Sequence, residues 1–450
     1  MKRCIIHIGM HKTGSTSIQI SLHKFEDSEF CYAKLGPANH SLAIYSLFSP
    51  NPEKHHLHRA NNRDTSAVNA YNQLMRKNLE NSIELAEGRT LIISGEDIGV
   101  LQPAGLARMH KYFRDRFDEI SIVGYVRPPA DFISSGFQQR IKDGSLDSFD
   151  LEQQYRNFKS NFGKFDDIFG RENVQLWKFQ PSSFPNNCVV RDFCTRLGIN
   201  LPENRIVRVN ESLTRLAVSL IYAYRKFGKS FGSESMRGPE ATILGAFIKA
   251  VDNKKFRLSP DVVRPILEKN RSDIEWMENR LGTSLQDDLG AYEAGLVKDE
   301  ADLLFIEPVT IRNLLKKLGP YAPVNADDGS PKSLAIIAHS IRKMNSEKEA
   351  ANPSETKPVT DLKDTKINVV ALLELIEQNN PELLAGLPKS KAATFLRTAF
   401  SQINDIIGEA EEGNVNFKGL GQFRIKFKER VSPGKDGKHT HITYRPSGIK

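Results

Sequence analysis

Apolar residues along the chain fall into two rhythms. Four short runs, "RCIIHIG" (3–9), "TLIISGE" (90–96), "ISIVGYV" (120–126) and "NVQLWKF" (173–179), are rich in Ile, Val and Leu. Runs of this length with little polar alternation match strands buried on both faces, the habit of parallel sheets. Around them, over 108–117, 187–197 and 213–227, apolar positions recur every three or four residues and predict amphipathic helices. Strand alternating with helix across residues 1–320 predicts an α/β domain of three layers, with a central parallel sheet between helices.

The rhythm then fails. Over 321–366 the stretches "APVNADDGSP" and "SEKEAANPSETKPVTDLKDTK" are polar and punctuated by proline, so a linker is predicted, interrupted by one short helix at "KSLAIIAHSIRKM". A new unit is expected over 367–450. Two amphipathic helices, "INVVALLELIEQNN" and "PKSKAATFLRTAFSQINDIIGEA", precede the strand series "GNVNFKGLGQFRIKFKERV", a turn "SPGKDGK" and the strand "HTHITYR".

Composition changes little in this picture. The 450 residues are 39% apolar and 26% charged, ordinary for a globular protein. A formal charge of +8 and a pI near 9.1 lean toward anionic ligands. Cys4, Cys31, Cys188 and Cys194 show no metal-type spacing and suit a reduced, cytoplasmic protein. No apolar run reaches membrane-spanning length, and no secretion signal is evident.

The chemistry starts at the first strand. "GMHKTGST" (9–16) separates Gly9 from Gly14 by four residues, as in a phosphate-binding loop, and a helix is predicted over 15–24. A strand, a glycine turn and a helix start make an anion site: amides point at the ligand and the helix dipole favours negative charge. Lys12 adds a full charge and Thr13, Ser15, Thr16 and Ser17 add hydroxyl donors. A nucleotide triphosphatase places its lysine after the second glycine, where this chain has Ser15.

His-Lys-Thr-Gly-Ser-Thr-Ser resembles the 5′-phosphosulfate loop of sulfotransferases that use 3′-phosphoadenosine 5′-phosphosulfate (PAPS) and no metal. His11 stands where that family often has proline. The family's 3′-phosphate site is an arginine at a strand end and a serine eight residues later. "SIVGYVRPPADFISSGFQQR" supplies Arg127 and Ser135 at that spacing. "RDFCTRLGI", "RVNESLTRL" and "SDIEWMENRLG" resemble later segments of bacterial members, so the resemblance spans about residues 1–282. It implies a P-loop α/β fold, PAPS bound through residues 12–17, Arg127 and Ser135, and sulfuryl transfer to an acceptor hydroxyl.

In-line transfer needs stabilisation of the leaving phosphate and a base for the acceptor. Lys12 is placed for the first. Glu96, just past a buried strand in "LIISGEDIGV", occupies the position of the base in carbohydrate-type members, which suggests a carbohydrate acceptor. Other readings are a Glu that caps its turn, a Glu96–Asp97 pair resembling a Walker B, and His11 as base. "EKHHLHRANNR" carries His55, His56 and His58 without a carboxylate or cysteine at metal spacing, so a solvated loop is expected. Arg237 in "SMRGPEA" is read as a surface charge, with a reach toward a phosphate as the other reading.

The last unit resembles the HU-type histone-like proteins, in which two helices form a dimer base and a β-ribbon grips DNA. Phe417, Gly419, Gly421 and Phe423 carry the likeness, and Pro433 stands near the expected arm tip. Arg424, Lys426, Lys428, Arg430, Lys435 and Lys438 form the basic cluster expected of a duplex-binding ribbon. The arm is shorter than in that family and a terminal helix is missing. The resemblance implies homodimerisation and DNA as a partner. Two rivals remain at this stage: a P-loop kinase or nucleotide triphosphatase, and a DNA-binding protein whose α/β domain is not catalytic.

Overall fold

The computed structural model describes residues 2–146, 148–209, 212–228, 238–286, 296–324, 326–351, 373, 389–409, 413–417, 421–430 and 437–446. The chain divides into two units, Met1–Glu347 and Lys348–Lys450.

The first unit is organised by five parallel strands, β1 (Arg3–His7), β2 (Phe30–Tyr32), β3 (Thr90–Ser94), β4 (Glu119–Val126) and β5 (Val174–Lys178), in the order β2-β3-β1-β4-β5. Four of these are the apolar runs read from the sequence. β2 is three residues long, too short to show a pattern. The helices around the site are α1 (Ser15–Leu22), α2 (Ser41–Phe48), α3 (His56–Ala60), α4 (Thr65–Leu85), α5 (Pro103–Arg114) and α6 (Pro129–Asp143).

Strand alternation sends Ile6, Leu91, Ile93 and Ile122 to one face of the sheet and Ile5, Ile92, Val123 and Tyr125 to the other. The first face is covered by Met75, Leu79 and Ile83 of α4 and Leu106, Met109 and Phe113 of α5. Ile18 and Leu22 of α1, with Val190 and Phe193 of the helix Val189–Leu197, cover the second. Helices on both faces explain why the strand sequences are so nearly unbroken. Each Leu, Ile or Phe buried here contributes about 1.5–3 kcal/mol.

A second core joins α6 to the helices Arg215–Phe227, Gly238–Lys249, Pro260–Lys269, Pro308–Leu318 and Pro331–Ala351. The last of these contains "KSLAIIAHSIRKM". Its Leu334, Ile337 and Ile341, at helical spacing, are fully buried among Leu220, Ile221 and Leu314, so the first unit continues through Glu347. Among the described residues, no helix is long and apolar enough to cross a membrane.

Of the second unit, the described residues form a helix, Lys389–Glu409, and a three-stranded antiparallel sheet, Gly413–Phe417, Gly421–Arg430 and Gly437–Pro446, with Gly421–Arg430 in the middle. Phe423 pairs with Val415 on one side and Tyr444 on the other. Apart from Leu373, the helix expected over 367–380 lies outside the described residues, as do Gly419 and Pro433.

Candidate functional site

Three motifs read from the sequence follow three neighbouring strands: the glycine loop after β1, Glu96 after β3 and Arg127 after β4. The carboxyl edge of a parallel sheet is where α/β proteins bind ligands, above all where successive connections leave toward opposite faces. Here α1 packs on one face and α5 on the other, so the crevice between β1 and β3 is such a point.

The loop turns through left-handed backbone at Gly9, Lys12 and Gly14, with φ of 51°, 67° and 77°. A lysine in that region is strained, a habit of functional loops. Gly14 caps α1, and a Cβ there would lie 2.7 Å from Val189 Cγ1, so glycine is required twice over. Two of the four loop hydroxyls are engaged inside the protein. Thr13 Oγ1 donates to the Met10 carbonyl at 2.6 Å, closing the turn, and Ser17 Oγ accepts the Val209 amide at 3.1 Å. Ser15 Oγ is buried without a hydrogen-bond partner, and Thr16 is half-buried. An unpaired buried hydroxyl beside the first free amides of a helix marks a place where a ligand oxygen would be welcome.

Arg127 meets the loop directly. Its Nη1 donates to the Lys12 carbonyl, and its Nε donates to Asp131 Oδ2 at 2.7 Å. Lys12 Nζ in turn donates to Gln139 Oε1 at 2.8 Å. Asp131, Ser135 and Gln139 stand four apart on α6 and share one face. Buried Ser135 therefore lies on the stripe between the residues that hold Arg127 and Lys12. Burial pushes the Lys12 ammonium down to about 8, helped by the charges of Arg127 and Lys142. The Arg127 charge is near enough to act on the ammonium, and two cations that repel in this way favour an anion between or beside them.

Across the loop, Glu96 and Asp97 begin a turn, Glu96–Val100, that is fixed from several sides. Gly95 lies so near α2 that a Cβ would come within 2.7 Å of the Ser41 amide nitrogen. The Asp97 amide donates to Ser41 Oγ at 3.0 Å, and Lys164 Nζ donates to the carbonyls of Gly99 and Leu101 at 2.6 and 2.8 Å. Burial pushes the Glu96 carboxyl above the usual range, with the charges of His11 and Lys12 working against it.

The histidine run is not a solvated loop. His55 and His58 are buried at 4% and 0% exposure. His55 Nδ1 accepts the Leu57 amide at 3.2 Å as the cap of α3, so its ring proton sits on Nε2 and is donated to Asp97 Oδ2 at 3.0 Å. His58 Nε2 meets Ser46 Oγ at 2.8 Å. The missing carboxylate is Asp97, brought from 42 residues away by the fold. Its other oxygen, Oδ1, binds His11 Nε2 at 3.1 Å. Burial would raise the Asp97 carboxyl, but the hydrogen bonds from His11 and His55 outweigh it and hold the group well below its ordinary range.

His55, His56 and Asp97 each bring a ligand-type atom within 4.8 Å of the others. A cation bound through His55 Nε2 would move the ring proton to Nδ1, against the Leu57 amide, so the cluster is read as hydrogen-bonded rather than metal-binding.

A cleft opens beside the loop, lined by Met10, His11, Glu96, Phe132, Arg156 and Phe162. Its far wall is a single π turn, Lys159–Gly163, an irregularity that recurs at functional sites. Asp273 anchors that wall: it accepts from the Tyr155 hydroxyl at 2.6 Å, the Phe158 amide at 2.7 Å and the Lys159 amide at 2.9 Å.

Sequence reasoning missed Gln139 and Asp273, and it named Asp97 and His55 without bringing them together. Gln139 was findable, being one helical turn past Ser135; the contacts of the others carry no local signal. In the second unit, Arg424, Lys426, Lys428 and Arg430 occupy alternate positions of the middle strand, and Lys438 pairs with Glu429 in the ladder. Lys435, like Arg237, lies outside the described residues.

No protein-family model matches the chain, and no curated protein matches it. Among solved structures it is similar to the sulfotransferase domain from the curacin biosynthetic pathway, at 15% identity and a TM-score of 0.29, over 60% of this chain and 97% of that one.

Proposed function

We propose that the first unit is a PAPS-dependent sulfotransferase that moves a sulfuryl group to an acceptor hydroxyl, with a carbohydrate as the acceptor class. One observation carries the reading. Arg127 and Lys12, 115 residues apart, are in contact at the carboxyl edge of the sheet, with Ser135 on the helix face between their partners. Two phosphate-recognising segments so close suit a ligand with phosphate at two positions. The loop also lacks the lysine that a triphosphate and Mg²⁺ would call for.

In this reading the amides at the start of α1, with Ser15 and Thr16, hold the 5′-phosphosulfate, and Lys12 stabilises the phosphate that leaves. Thr13 and Ser17 keep the loop in shape. Arg127 exchanges the Lys12 carbonyl for the 3′-phosphate, and Ser135 supports it. Glu96 takes the acceptor's proton as oxygen attacks sulfur. The reading calls for no metal.

Isothermal titration with 3′-phosphoadenosine 5′-phosphate (PAP) and with ATP–Mg²⁺ tests it. Micromolar binding of the first and none of the second is expected; the reverse would make the protein a kinase or nucleotide triphosphatase.

For the second unit we propose an HU-like module that dimerises and binds duplex DNA, supported by basic residues at alternate positions of the middle strand. Mobility shift with residues 367–450 in rising salt is the check. Retardation that does not weaken as salt rises would remove the electrostatic basis of the proposal.

A further inference from the structure

A base that has taken a proton must be emptied before it works again. Glu96 and His11 both line the cleft, and the chain His55–Asp97–His11 runs from the interior toward solvent, with side-chain exposures of 3%, 14% and 41%. From this, and resting on the sulfuryl-transfer reading above, we infer that His11 carries the acceptor's proton from Glu96 to solvent, with Asp97 and His55 as its positioning residues.

The hydrogen bonds fix the roles. Because Leu57 donates to His55 Nδ1, His55 is a donor to Asp97 and never an acceptor. Asp97, held as a carboxylate, accepts from His11 Nε2, so the ring's lone pair is at Nδ1. His11 thus has one nitrogen tied to the protein and one left to receive a proton. A histidine needed only to close the loop would not require a carboxylate that a second, buried histidine orients.

The charged groups around the ring agree. Burial alone would lower the His11 imidazole, but the Asp97 hydrogen bond and the charges of Glu96 and Asp97 outweigh it and raise it above its ordinary value. Arg156, from the opposite wall, works against them. Lys12 follows in the chain, and His56 on α3 lies within reach of the same field.

The steps balance. As the acceptor oxygen bonds to sulfur and the sulfur–phosphate oxygen bond breaks, the hydroxyl proton passes to the Glu96 carboxylate. Glu96 then gives that proton to His11 Nδ1, forming an imidazolium whose Nε2–H faces Asp97. Water or buffer removes it, and both groups return to their starting states.

The test measures PAP release from PAPS with 4-nitrophenyl β-glucoside as acceptor, in dilute buffer. His11→Ala should lower kcat on the order of 100-fold, leave PAP affinity within about threefold, and recover saturably with added imidazole. The wild-type rate should fall as pH drops through the His11 titration, and Asp97→Asn should move that limb to lower pH. Turnover by His11→Ala equal to wild type, or a loss that imidazole does not restore, would overturn the relay. If the intact protein consumes no PAPS, the transfer reading falls and takes the relay with it. Nuclear magnetic resonance titration of His11 in the free protein separates the two failures. A His11 titration unmoved in Asp97→Asn would overturn the clamp itself.

Discussion

The two sides of the glycine loop are built by different means. On one side, main-chain amides, Lys12 and Arg127 make a cationic cradle whose parts sit within a few residues of strand ends. On the other lie the groups we propose to handle protons, Glu96, Asp97, His11 and His55, which come from a loop, a turn and a helix cap that the tertiary fold brings together. An anion can be held by the geometry that a strand, turn and helix produce by themselves. A proton needs groups of matched affinity at a fixed spacing, and the fold supplies those one contact at a time.

Substitutions on each side should therefore separate binding from turnover. The largest effect is expected at Glu96: Glu96→Gln should reduce PAP release by about 100- to 10,000-fold with PAP affinity unchanged by titration calorimetry. Full turnover would move the base elsewhere. Next, Lys12→Ala and Arg127→Ala should each weaken PAP roughly 10- to 100-fold, since a charge-assisted hydrogen bond contributes about 1.5–3 kcal/mol. Equal binding by either variant would detach it from the cradle.

Gly14→Ala should cost about 1–3 kcal/mol through a left-handed backbone and the Val189 contact. Calorimetry should show a fall in Tm, together with weaker PAP binding. The smallest effect concerns pH. Lys12 titrates near 8, pulled down mainly by burial, so it is charged below that value and neutral above it. PAP affinity should therefore decline as pH rises from 7 to 9, and the decline should vanish in Lys12→Ala.

Much of the cradle side, and Glu96 across from it, was legible in the sequence. Four strands, the loop, Arg127 and Glu96 fall where their local patterns put them, because buried parallel strands and glycine turns leave signatures over a few residues. β2 escaped notice because three residues carry no period, and the helix α4 falls where no helix was predicted. The histidine run was misread for a different reason. Burial of His55 depends on Tyr45 and Asp97, which are distant in sequence, and no spacing within "EKHHLHRANNR" announces either. Thr13 and Ser17 show the same limit in miniature. Their types fit a donor loop, while their partners, Met10 and Val209, decide what they do.

Asp273 has a wider meaning. One carboxylate on a late helix fastens the far wall of the cleft at three points, and none of those bonds involves the glycine loop or α6. In the proposed reading, the floor that would grip the donor and the panel that would face the incoming alcohol thus hang from separate nails. If that reading holds, changes around that single acid would let a descendant of this chain exchange one acceptor for another without disturbing the glycine loop.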